Sequence, residues 1–366
     1  MNCSAYDVLL DYLGNCLPLT GYFPNHKHLK INNTYYRVVG NLGEGAFSTV
    51  YLCEDTDGNR VAVKKMLCYR GTDTLAMARR EISAYRTFSG IPGIIRLVDW
   101  SVEDNIMEDR SEVFMCFPVL KNGTLADNMG ERRSEMWVVR VFLKLCRSVD
   151  RMHKFEGPLL PLDDSDSNRE TRRPGMTSHR YVPVASRGEE EVEEDDVLVD
   201  AGLGTSASGY VHRDIKPGNV MLSDDNETPI LIDLGSVAAS KYTAENRSDA
   251  LRIQEDAAEN CTMAYRAPEL FDVQRNAVFD QRTDVWSLGC LLFAMAFGHS
   301  PFEDPMEGPG ASIALAAINA RYRVPEPNPY SDRMVRLIEF MLEPDPQKRP
   351  FVEQVIALLE RLYEEE

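Results

Sequence analysis

Three observations predict an α+β fold of two unequal parts. β-rich segments are confined to the first third of the chain, helical periodicity dominates the rest, and a charged loop signature lies within the helical part. Tyr35–Leu42, Thr49–Glu54 and Arg60–Met66 are rich in β-branched and aromatic residues and are broken by Gly43-Glu44-Gly45 and Asp55-Thr56-Asp57-Gly58-Asn59. Thr74–Phe88 has helical composition, and Ile94–Val102 and Val113–Leu120 read as two further strands. The expected N-terminal part is therefore five strands and one main helix, behind a short leader at 1–34. From Leu125 the period becomes helical: Val138, Val141, Phe142, Leu145, Val149 and Met152 mark the apolar face of a helix ending near His153. Thr283–Phe297, Ala311–Ala320, Arg333–Leu342 and Val352–Tyr363 continue the helical pattern.

The chain has 366 residues and a formal charge of −18, which argues against nucleic acid as a partner. Residues 156–208 hold 13 acidic and 5 basic side chains, so much of that charge is local. The stretch includes the acidic run Glu189–Asp196 and is expected to be a solvated surface insertion. The eight cysteines form no Cys-x-x-Cys pair, and Cys116, Cys146 and Cys290 sit in apolar runs, as buried reduced thiols do. No signal peptide opens the chain and no apolar window is long enough to span a bilayer, so an intracellular, cytoplasmic catalytic body is expected.

The chemistry is carried by His212-Arg213-Asp214-Ile215-Lys216-Pro217-Gly218-Asn219. The run supplies a carboxylate to accept a hydroxyl proton, an ammonium to face a γ-phosphate, and an amide oxygen for a metal ion. Asp233, at the end of the apolar run Pro229–Ile232, offers a second metal carboxylate. Upstream, Leu42-Gly43-Glu44-Gly45-Ala46-Phe47-Ser48-Thr49-Val50 lies between two strand signals, so its backbone amides could close over phosphates. A lone Gly-x-Gly is usually only a turn; its order ahead of a strand lysine and an acidic catalytic loop gives it weight. Lys64, in Val61-Ala62-Val63-Lys64, would reach the α/β-phosphates and pair with Glu81, the sole acid of the next helix.

In this order the segments resemble the protein kinases over residues 35–363. The resemblance implies a bilobal kinase fold, with an N-lobe at 35–117, a hinge at 118–123 and a C-lobe at 124–363, using ATP and Mg2+. It makes Asp214, Lys216, Lys64 and Glu81 catalytic and Asn219 and Asp233 the metal ligands. It places Leu42 through Ser48, Val50, Ala62, Phe117, Pro118, Val119, Leu120 and Met221 around the nucleotide. Glu269 and Arg349 are implied as a buried ion pair, and Asp284 as an acceptor for the catalytic-loop backbone. His212 is implied as a core residue. Thr262 with Lys216 resembles the pattern of serine/threonine kinases, which implies protein substrates with Ser or Thr acceptors. Arg213 precedes Asp214, so a phosphate on the activation segment could be paired by this arginine, with Ser236, Ser240, Thr243 and Ser248 as unranked candidates.

More narrowly, Asp233–Ser236, Thr262–Phe271 and Arg282–Cys290 resemble the Numb-associated kinase group, nearest its myristoylated and palmitoylated branch and fungal vacuolar-membrane relatives. That likeness implies constitutive activity, a helical activation segment (here Ser248–Glu259), and a role at Golgi or vacuolar membranes. Three residues depart from the pattern. Leu234 stands for phenylalanine with little expected loss, and Ser48 for a glycine, which is expected to stiffen the phosphate loop. Asn2 stands for glycine and excludes N-myristoylation. Cys3 and Cys16 remain as candidates for S-palmitoylation and peripheral membrane association. The competing reading is a pseudokinase scaffold that binds partners through its C-lobe and acidic insertion, but every charged catalytic position is filled.

Overall fold

The computed structural model describes residues 28–45, 48–105, 108–130, 132–162, 209–303 and 312–364. Its N-terminal lobe is one antiparallel sheet of six strands in the order β1-β2-β3-β4-β6-β5. The strands are β1 (His28–Ile31), β2 (Thr34–Glu44), β3 (Ser48–Glu54), β4 (Arg60–Tyr69), β5 (Asp99–Asn105) and β6 (Arg110–Pro118), and α1 (Thr74–Phe88) follows β4.

The sheet thus has six strands rather than the five expected, because the end of the 1–34 leader is itself a strand. Four residues give too short a period to stand out in sequence, yet His28–Ile31 alternates exposed and buried side chains. Asn32 turns the chain at φ 52°, a left-handed conformation that asparagine tolerates, and its amide then donates to Asp99 Oδ1 at 2.8 Å. Leu29 and Ile31 join Tyr36, Cys53, Val63, Phe114 and Cys116 in a small core on one face of the sheet. The expected strand at Ile94–Val102 begins only at Asp99, while Ile94 makes an isolated parallel bridge to Leu231 in the other lobe.

The C-terminal lobe is mostly helical. Its elements are α2 (Glu135–His153), the short strands β7 (Tyr210–Val211), β8 (Val220–Leu222), β9 (Pro229–Leu231), β10 (Ala238–Ala239) and β11 (Tyr242–Thr243), then α3 (Arg247–Asn260) and β12 (Val278–Phe279). After these come α4 (Arg282–Phe297), α5 (Ile313–Ile318), α6 (Asp332–Met341) and α7 (Val352–Glu364). Ser134 caps α2, its hydroxyl accepting from Trp137 N. Helix α4 is apolar on nearly all sides and buried from Arg282 to Ala294. A Cβ on Gly289 would lie 2.9 Å from Leu342 and 3.0 Å from Met341, so glycine permits the close approach of α4 to the end of α6. The six described cysteines are all free and buried, including Cys116, Cys146 and Cys290 as expected.

The first residues of the expected insertion are tied to both lobes. Leu160 N donates to Thr87 Oγ1 at 2.8 Å, Arg86 donates to the Pro161 carbonyl at 2.9 Å, and Tyr210 Oη donates to the Gly157 carbonyl at 2.8 Å. Phe155 packs edge-on to Phe88 with ring centroids 5.3 Å apart. The stretch from Gly157 to Leu162 therefore runs from the end of α2 along the end of α1. Residues 163–208, with the acidic run Glu189–Asp196, lie outside the described residues, as do Cys3 and Cys16.

Candidate active site

The loop after β7 is shaped from beneath by Asp284, which is fully buried in the first turn of α4. Its Oδ2 accepts from His212 N at 2.8 Å and lies 2.9 Å from His153 Nε2, and its Oδ1 accepts from Arg213 N at 2.9 Å. Burial works to raise this carboxyl, but the bonds from His153 and the loop backbone hold it below the ordinary aspartate value. With both amides captured, Arg213 takes φ 73°. His212 is fully buried, and its Nε2 lies 3.1 Å from the Ile232 carbonyl, a core position as the sequence implied.

Above this anchor Asp214 is bonded on both oxygens. Oδ1 accepts from Thr262 Oγ1 at 2.6 Å and Thr262 N at 3.0 Å, while Oδ2 accepts from Lys216 Nζ at 2.7 Å and Asn219 Nδ2 at 2.9 Å. Lys216 also donates to Thr262 Oγ1 at 2.7 Å, which closes a ring of three side chains. Burial opposes ionisation of Asp214, but the bonds from Lys216 and Thr262 outweigh it and depress its pKa. An ionised carboxylate 2.6 Å from a side-chain hydroxyl can hold an alcohol and accept its proton.

Across the cleft, Lys64 Nζ lies 2.7 Å from Glu81 Oε1 and 3.5 Å from Asp233 Oδ1. Burial works to lower the lysine pKa, yet the carboxylates of Glu81 and Asp233 more than offset it and raise it. The ammonium therefore stays charged at neutral pH. Asn219 commits its amide nitrogen to the Asp214 carbonyl at 2.8 Å and to Asp214 Oδ2, which leaves its amide oxygen as a donor atom for a metal. The Asp233 side chain is 47% exposed, so its carboxylate is open to a ligand. One carboxylate and one amide oxygen fit a hard divalent cation that keeps water and phosphate oxygens in its shell.

The remaining sequence-predicted residues fall into two groups. Register pairs Gly43 with Val50, Val50 with Lys64, and Ala62 with Phe117, so these line consecutive strands of the sheet. Gly45 N donates to the Ser48 carbonyl at 2.7 Å, closing the turn that Leu42 and Glu44 enter from β2. Pro118 ends β6, Val119 and Leu120 follow it half-buried, and Met221 bridges to Thr124. Ala46 and Phe47 lie outside the described residues. Away from the cleft, Glu269 and Arg349 make a two-pronged pair at 2.8 and 2.9 Å, with the guanidinium 5.1 Å from the Trp286 ring centre.

The chain matches the family described as protein kinase domain over residues 36–156 and 206–358. It is a protein kinase. The gap in that match coincides with the acidic insertion. The kinase is 35% identical to mouse serine/threonine-protein kinase 16, with 91% of this chain and 92% of the relative covered. It is 30% identical to serine/threonine-protein kinase ppk13 of Schizosaccharomyces pombe over 98% and 97% of the two chains. It is also 30% identical to serine/threonine-protein kinase ENV7 of Saccharomyces cerevisiae over 91% and 93%. Its family uses ATP and a divalent metal.

Two partners in the kinase site were not read from the sequence. Arg213, which the sequence offers as a partner for a phosphate on the activation segment, contacts the carboxylate of Asp256 on α3, which Asn260 Nδ2 also holds at 2.9 Å. Nothing local marks Asp256 among the acids of that helix; only the fold of α3 against the loop selects it. Tyr85, read simply as part of a helix, lies one turn beyond Glu81 and accepts from Asp233 N at 2.9 Å. A pH prediction follows from Asp284. Its folded pKa lies below 3.8, so its contribution to stability is complete above about pH 5 and is lost as pH falls through the depressed value. Asp284→Asn is expected to cost about 3 kcal/mol at pH 7 and to flatten the acid limb of urea-unfolding stability; an unchanged acid limb would contradict the assignment.

Proposed function

We propose that this protein is a serine/threonine protein kinase that transfers the γ-phosphate of ATP to Ser and Thr hydroxyls of proteins, with Mg2+ as the divalent ion. The reading is carried by the Asp214–Lys216–Thr262 ring, in which an ionised carboxylate already holds an alcohol hydroxyl at 2.6 Å beside an ammonium. The names of the relatives support a Ser/Thr acceptor.

In the proposed reaction Asp214 orients the acceptor hydroxyl and receives its proton. The acceptor oxygen forms a bond to the γ-phosphorus while the bond to the β,γ-bridging oxygen breaks, and ADP leaves. Lys216 faces the transferring group and stabilises its charge. Lys64, held by Glu81, positions the α/β-phosphates, and the backbone at Gly43 to Ser48 covers them. Magnesium held by Asn219 and Asp233 would neutralise charge on the phosphate oxygens. Ala62, Val50, Phe117, Pro118 to Leu120 and Met221 form the adenine pocket in this reading.

Asp214→Asn should lower phosphate incorporation into casein by about 10²- to 10⁴-fold while ATP still binds; near-normal turnover in that variant would defeat the mechanism. The Asp256 carboxylate already partners Arg213 without any phosphate, which supports activity without phosphorylation of the segment. Phosphatase treatment should then leave the rate unchanged, whereas Asp256→Asn, which strips a nearly buried arginine of its partner, should cut it about tenfold. A rate that collapses on phosphatase treatment would reverse this conclusion.

The likeness to the acylated kinases supports a peripheral membrane role at Golgi or vacuole through Cys3 and Cys16. No helix among the described residues is long and apolar enough to cross a membrane. Thioester-specific biotin exchange on protein from cells should label the native chain and not the Cys3→Ser/Cys16→Ser variant. Equal labelling of the two would remove the acylation proposal.

A further inference from the structure

Helix α1 reaches the metal-binding turn at a second place besides Glu81. Tyr85 is 2% exposed and sits one helical turn after Glu81, so both side chains leave the same face. Its hydroxyl oxygen accepts from Asp233 N at 2.9 Å and, more weakly, from Leu234 N at 3.4 Å. The ring itself packs on Phe117 with centroids 4.8 Å apart, which fixes where the hydroxyl can point. A further turn contact comes from Arg80, whose guanidinium donates to the Val237 carbonyl at 3.0 Å.

The bond matters because Asp233 is not free to choose its backbone. It lies at φ 60°, ψ 74°, a left-handed conformation that residues with a Cβ disfavour. Such a conformation persists where surrounding groups over-determine it. One residue back, Ile232 N donates to the Asn219 carbonyl at 2.9 Å. Asp233 N and, more weakly, Leu234 N, one on each side of the Asp233 Cα, are taken by Tyr85. The two peptides flanking the Asp233 Cα are thereby fixed, and with them the direction of its carboxylate, 3.5 Å from Lys64.

We propose that Tyr85 is a positioning residue: its hydroxyl holds the strained turn at Asp233, so that the helix placing Glu81 on Lys64 also sets the metal-binding carboxylate. Tyr85 touches neither nucleotide nor metal in this scheme and acts through Asp233. The proposal rests on the kinase reading above, in which Asp233 serves the metal.

Tyr85→Phe tests it, because the ring stays on Phe117 and only the acceptor is lost. Two readouts are taken on the full chain. The first is amide hydrogen exchange of the nucleotide-free protein, in which the peptide spanning Asp233 and Leu234 should exchange about tenfold faster once its buried donors lose their partner. The second is ADP binding by calorimetry, with Mg2+ or with EDTA. Mg-dependent affinity should fall about tenfold, with no change in EDTA. The same substitution made in an Asp233→Asn background should be silent on ADP binding, since the residue through which Tyr85 acts is already gone.

Wild-type exchange and wild-type Mg–ADP affinity in Tyr85→Phe would overturn the proposal. An equal loss of ADP affinity in EDTA, or an undiminished loss in the Asp233→Asn background, would also overturn it, by showing that Tyr85 acts through the adenine pocket. Absence of Mg-dependent ADP binding in the wild-type protein would instead overturn the kinase reading and this role with it. The exchange readout would still report whether the turn depends on the hydroxyl.

Discussion

Asp284 is a charged group without access to water, and it persists because its oxygens are satisfied by His153, His212 N and Arg213 N. Those three partners come from the end of α2 and from the loop that carries Asp214, while Asp284 itself opens α4. One carboxylate thus joins the two most buried helices of the C-terminal lobe to the loop. Capturing two successive amides also fixes the backbone at Arg213 in its left-handed turn, which directs the guanidinium toward Asp256. The side chains above, Asp214, Lys216 and Asn219, inherit a rigid floor.

The second constraint is the single face of α1. Arg80, Glu81 and Tyr85 engage Val237, Lys64 and Asp233, so one rigid helix touches the sheet and the turn after β9 together. Its far end is bound by the stretch from Gly157 to Leu162, through Arg86 and Thr87. The acidic insertion therefore leaves the C-terminal lobe along the helix that sets the Lys64–Glu81 pair. A helix held at its C-terminal end and on its inner face has little freedom to rotate Glu81 away from Lys64. This agrees with a site whose ion pair stands complete at 2.7 Å, with Arg213 already partnered by a carboxylate.

Much of this was legible in the chain because the relevant groups lie close in sequence or in strict order. Asp214, Lys216 and Asn219 fall within six residues, and their mutual bonds follow from one loop. Lys64 and Glu81 could be paired because the next helix offers a single acid. The buried Glu269–Arg349 pair and the role of Asp284 came from resemblance, and the geometry places each where that resemblance implied. The short strand His28–Ile31 escaped notice because four residues carry too little periodicity, and its place is decided by pairing with Thr34–Arg37. Asp256 and Tyr85 could not be singled out, since an acid on an acidic helix and an aromatic on an amphipathic one are ordinary residues until a partner is brought to them.

By itself, then, the sequence determined the reaction class, the two-lobed architecture and the loop proposed to carry the chemistry, because these depend on residue type and local spacing. The tertiary structure alone decided which carboxylate meets Arg213, which hydroxyl holds the turn at Asp233, and where the insertion leaves the body. Those choices join residues 43 and 148 positions apart in the chain, and contacts of that range are selected by packing of whole helices and sheets, which no local pattern of residues specifies.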